Sequence, residues 1–138
     1  MEVELHPAIV HFPIALFVSA LGFEIAGIIF KRETLNRTAV YLYIVATLIA
    51  PLAVWTGWAE AKEHNLHHPV LDIHRTFAFI VMWLSLGSLP GLWAISRCSV
   101  KNFRLIFFAC LLVVVSSVAI TAYNGGRMVY EYGIGIEH

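Results

Sequence analysis

AIVHFPIALFVSALGFEIAGIIF, residues 8–30, carries one acid, Glu24, and no base. A helix needs roughly 20 mostly apolar residues to cross a bilayer, and this run is long enough. Three further runs follow, at about Ala39–Ala61, Leu71–Ile95 and Phe103–Tyr123. The pattern predicts an all-α integral membrane protein, a four-helix up-down bundle in one domain over residues 1–138. The composition agrees: 59% of the residues are hydrophobic and mean hydropathy is +0.78, whereas soluble domains sit near half apolar. Formal net charge is zero, so no nucleic acid or other polyanion is expected as a partner. There is no internal repeat, low-complexity tract or Gly/Ser linker. The first run is not read as a cleaved signal peptide, because Glu2 and Glu4 precede it and the cations follow it.

Charge sets the expected orientation. The first connection carries Lys31, Arg32 and Arg37 against Glu33, and the third carries Arg97, Lys101 and Arg104 with no acid. The other face mixes Lys62, Arg75 and Arg127 with Glu2, Glu4, Glu60, Glu63, Asp72, Glu131 and Glu137. The positive-inside rule makes the first face cytoplasmic. Both termini then face the periplasm from a multi-pass position in a bacterial inner membrane. Cys98 and Cys110 lie on opposite sides of a turn on the reducing side, where a disulfide is not expected.

In this arrangement all seven histidines fall at one end: His6, His11, His64, His67, His68, His74 and His138. Ionisable residues in a membrane are costly and are functional candidates, and imidazole is a common ligand for haem iron and other transition metals. Two inorganic sites fit the spacing. In the first, His11 and His74 face each other from separate helices and hold one haem b, with Arg75 and Arg127 on its propionates. Trp55, Trp58, Tyr123 and Asn124 then line the pocket edge. In the second, Glu60 and His64, four apart on a helix, join His67 or His68 to hold copper or zinc. Each histidine also admits a plain reading, as a packed helix-start residue or a solvated loop residue.

Small residues mark packing faces, which let membrane helices approach closely or leave room for a flat ligand. They run from His11 through Ala15, Gly22 and Ala26, from His74 through Ala78, Val81, Ser85 and Ser88, and through Ala46, Ala50, Ala53 and Gly57. Glu24 lies about 20 Å deeper than His11, at ~1.5 Å per residue. It is expected either to bond Tyr41 or Tyr43 or to exchange protons, for instance with a quinone. The pair Gly125-Gly126 reads as a helix stop, with the tail folding back over the bundle. The exposed-end aromatics suit an interfacial belt.

The opening His6-Pro7-Ala8-Ile9-Val10-His11-Phe12-Pro13-Ile14-Ala15-Leu16 resembles the signature of small bacterial membrane proteins grouped as domain-of-unknown-function family 2231. The ending Gly125-Gly126-Arg127-Met128-Val129-Tyr130, followed by Gly133-Ile134-Gly135, is similar to that family's close, as are Thr56-Gly57 and His74. The resemblance implies four membrane spans and no settled activity. Some relatives are joined to cytochrome-type domains, which implies haem and electron transfer, carried over here to His11 and His74 and secondarily to His6. The expected function is a membrane b-type cytochrome-like protein exchanging electrons with a membrane or periplasmic redox partner. The alternatives are a non-catalytic accessory subunit of a respiratory or photosynthetic complex, and a periplasm-facing copper or zinc binder.

Overall fold

A computed structural model describes residues 5–63, 67–97 and 102–133, with only the backbone described for residues 5, 63 and 95–97. Four helices account for nearly all of them: α1 (Leu5–Phe30), α2 (Glu33–Glu63), α3 (Pro69–Arg97) and α4 (Phe103–Tyr130). All four are long and apolar enough to cross a membrane, and the described residues contain no strand.

The helices start earlier or end later than the expected spans, because hydropathy marks the apolar slab while the helix continues wherever backbone groups stay paired. The largest correction is at Gly125-Gly126. They do not stop α4, which runs on to Tyr130; the left-handed glycine is Gly133, at φ 61°. Between α1 and α2 the turn is tight. Lys31 takes φ 52° and the Arg32 N–H donates to the Gly27 carbonyl at 3.0 Å. This is a Schellman closure with lysine where glycine is usual.

α1 packs most extensively on α2 and α3 on α4, and the two pairs meet along narrower α2–α3 and α1–α4 seams. α1 and α3 are diagonal, as are α2 and α4. The centre is an edge-to-face aromatic chain. Phe17 meets Tyr43 at 5.5 Å and 66°, and Tyr43 meets Phe107 at 5.5 Å and 85°, near the geometry that aromatic quadrupoles favour. Ala39, Ala46, Ala50 and Ala53 let α2 sit close to its neighbours. Glu24, Asn36, Thr47, Ser85, Ser117, Thr121 and Asn124 are buried, while many large apolar side chains, including Phe30, Trp83, Trp93 and Leu105, face outward. That distribution suits contact with lipid, where an apolar exterior carries no penalty and polar groups need internal partners.

The expected inward face of α1 is also corrected. His11, Ala15 and Gly22 face outward and Ala26 is half-buried, whereas Pro13, Phe17, Ala20, Glu24 and Gly27 form the buried stripe. At 3.6 residues per turn, His6 lies about five turns before Glu24 and heads that same stripe. The expected lines on α2 and α3 do face inward: Ala46, Ala50 and Ala53 are buried, as are Val81 and Ser85.

Candidate functional site

His6 and His74 meet neighbours from opposite helix pairs at one end of the bundle. His6 reaches from α1 to α2, where its Nδ1 lies 3.2 Å from Thr56 Oγ1. The Thr56 hydroxyl donates its only proton to the Ala53 carbonyl at 3.0 Å. Thr56 oxygen must therefore accept from His6 Nδ1–H. His74 reaches from α3 to α4, where Nδ1 is 2.8 Å from the Thr121 carbonyl oxygen, which can only accept. Both rings thus carry their proton on Nδ1, and His6 also meets the Ala53 backbone. His6 and Arg75 both interact electrostatically with His74.

Two glycines admit these rings. A Cβ on Gly57 would stand 2.6 Å from His6 Cε1, and one on Gly125 would stand 3.2 Å from His74 Cε1. The first approach is closer than real Cβ atoms make and the second is tight, so Gly57 makes room for the imidazole of His6 and Gly125 eases that of His74. Beneath the rings lies an apolar cavity of about 50 Å³, lined by residues of all four helices that include Val10, Phe17, Ala53, Ala78, Val118 and Thr121.

His11, expected opposite His74, is exposed, and its ring Nδ1–H donates back to the Pro7 carbonyl of its own helix. Since α1 and α3 are diagonal and the His11 stripe faces outward, His6 occupies the inward position instead. Arg75 has a buried Nε without a partner. Arg127 is engaged: Nε donates to Glu131 at 2.8 Å and Nη2 to the Tyr132 hydroxyl at 3.1 Å. Trp55, Trp58 and Tyr123 face outward, away from the cavity beneath the rings; Asn124 is buried and donates to the Ile120 carbonyl at 2.9 Å.

His64 lies outside the described residues, as do Cys98 and His138. His67 is exposed. His68 Nδ1 accepts the Val70 N–H at 3.2 Å and its ring meets Tyr132 at 4.3 Å, so it caps the start of α3 and its proton sits on Nε2. Glu60 is half-buried and has a partner. Among the described residues no three His, Cys, Asp or Glu side chains group as a metal site.

The residues fit an imidazole-ligated metal in their donor chemistry: ligating histidines normally donate the other ring N–H to a carbonyl or similar acceptor, as both do here. With the helices packed as they are, the cavity beneath the rings is too small for a macrocycle. At about 50 Å³ it is far below the roughly 300–1,000 Å³ of ordinary ligand pockets.

At the other end of the bundle, Glu24 is fully buried and bonds neither Tyr41, which is exposed, nor Tyr43, whose hydroxyl is 2.7 Å from Ser88 and 3.5 Å from Cys110. Its partners are Asn36 Nδ2 at 3.0 Å and Arg104 Nη1 at 3.3 Å, both on Oε2.

One family model, described as a predicted membrane protein of domain-of-unknown-function family 2231, matches residues 2–138. No curated protein and no solved structure matches the chain.

Proposed function

We propose a function for a chain that belongs to domain-of-unknown-function family 2231: a membrane electron-transfer protein whose transition-metal centre is held by His6 and His74. One observation carries the reading. Two imidazoles from opposite helix pairs lie at the same end, each with its Nδ1 proton held by an oxygen of the neighbouring helix, at Thr56 and Thr121. Haem b is the form of the centre that also uses Arg75, whose buried, unpartnered Nε suits a propionate. When bound, the iron supplies one-electron chemistry. The chain's own contribution is to orient both rings and to exclude water through the apolar packing beneath them. Because the space below is small, haem binding requires the two helix pairs to part at this end.

The reading places the helices up and down, with the cationic connections in the cytoplasm and the histidine end in the periplasm of a bacterial inner membrane. Lipid surrounds the bundle, and a membrane or periplasmic redox protein, or a quinone, exchanges the electron.

The test is a reduced-minus-oxidised visible spectrum of detergent-purified protein from haem-sufficient cells, with iron, copper and zinc quantified on the same sample. A Soret band, a sharp α-band and about one iron per chain are expected. His6→Ala and His74→Ala should abolish them, and His11→Ala should leave them. Copper or zinc lost on the same two substitutions would keep the histidine pair and replace haem by a single ion. A metal-free protein would overturn the reading and leave the accessory subunit.

A further inference from the structure

Glu24 raises a separate question, which does not rest on the histidine reading. Every donor that reaches its carboxylate reaches the same oxygen. Asn36 Nδ2 donates to Oε2 at 3.0 Å and to the Glu24 backbone carbonyl at 3.3 Å. It can do so because Gly27 has no side chain; a Cβ there would stand 2.3 Å from Asn36 Nδ2. Arg104 Nη1 donates to the same Oε2 at 3.3 Å. Arginine commonly grips one carboxylate with two parallel bonds, but Arg104 turns its other nitrogen, Nη2, to Glu33 Oε1 at 2.7 Å. Glu24 Oε1 is left buried with no partner, on a side chain with no exposure at all.

A buried carboxylate oxygen without a partner among the described residues has room in its hydrogen-bonding chemistry for a proton. The surroundings supply a route and a counter-charge. Arg104 is one-third exposed, and Glu33, which it also holds, is mostly exposed. Among the described residues, the other titratable or charged groups at this end are Lys31 and Arg32 in the α1–α2 turn, Arg37, 3.6 Å from Glu33, the exposed Tyr41, and the Tyr43–Cys110 pair deeper in α2 and α4.

We propose that Glu24 is a proton-loading site opening at the Arg104 end of the bundle. A proton from water forms an O–H bond at Oε1 and the carboxylate charge is lost. Arg104 then releases Oε2 and stays with Glu33, so its own charge remains paired. Return of the proton to water restores the shared Glu24–Arg104–Glu33 arrangement. Phe17, Tyr43 and the apolar cavity lie between this site and the histidine end, so loading and unloading occur from one side.

The experiment is infrared difference spectroscopy of the whole protein in lipid vesicles, stepping pH in H2O and in D2O, on unlabelled and 13C-glutamate-labelled samples. The expected result is one carbonyl band from a weakly hydrogen-bonded carboxylic acid. It shifts with the glutamate label, shifts in D2O, persists in Glu33→Gln and disappears in Glu24→Gln. If Glu24→Gln does not fold, the label and Glu33→Gln still decide, because Glu24 is the fully buried glutamate among the described residues. Absence of such a band in labelled wild-type protein, or its loss in Glu33→Gln, would overturn the proposal.

Discussion

At the end that holds His6 and His74 the donors are half-buried rings that meet uncharged oxygens of neighbouring helices; at the end that holds Glu24 the groups are charged and matched, except for one oxygen. Both ends use glycine to bring a polar side chain against a neighbouring helix, Gly57 for His6 and Gly27 for Asn36. The consequences differ. At the charged end the close approach completes a network that links α1, α2 and α4, so it bears on stability. At the neutral end it sets a ring's position and tautomer, so it bears on what the ring can bind.

The contrast breaks most sharply at Arg104. Arg104→Ala leaves the Glu24 carboxylate buried beside Asn36 alone. Orphaning a buried charge costs roughly 3–5 kcal/mol. The one-third exposure of Arg104 lowers the expectation to about 2–3 kcal/mol, read as a shift in the SDS unfolding midpoint. A double variant, Glu24→Gln with Arg104→Gln, should recover most of that loss; equal destabilisation by single and double variants would refute the charge argument.

A matched pair of glycine changes sharpens the comparison. Gly27→Ala drives a methyl into the Asn36 amide, which is buried and doubly bonded, and should cost about 1–3 kcal/mol. Gly57→Ala meets the half-buried, movable ring of His6. It should cost under about 1 kcal/mol yet weaken metal loading by roughly 10-fold or more, as displaced ligand supports do. Unfolding and metal content measured on both variants would separate the two ends; equal stability losses would erase the distinction. The smallest effect is expected at the turn. Lys31→Gly relieves a left-handed lysine and should stabilise the protein by up to about 1 kcal/mol, visible as a later unfolding midpoint with metal content unchanged.

Much of the site was within reach of the sequence. Glu24 is a lone acid inside a span, so it must turn away from lipid. His11 lies thirteen positions before it, roughly 220° around the helix at about 100° per residue, and so on the opposite side. His6, about five turns before Glu24, shares its side. The exposure of the two rings follows this helical phase, with His11 exposed and His6 half-buried. Gly125 offered a weaker signal. A glycine pair at a span's end reads as a stop by local propensity, and only the ring of His74 beside it gives the position its other purpose.

By itself the sequence determined four long apolar helices, because bilayer thickness and backbone hydrogen bonding admit little else for such runs. It also determined the inward faces of α2 and α3, through their small residues. Only the tertiary structure decided which side chains meet. That Arg104 divides itself between Glu24 and Glu33, and that Thr56 and Thr121 set the protons of His6 and His74, depends on contacts between helices far apart in the chain. Helical period says which way a residue points; the partner it finds there depends on how neighbouring helices are rotated and offset against it.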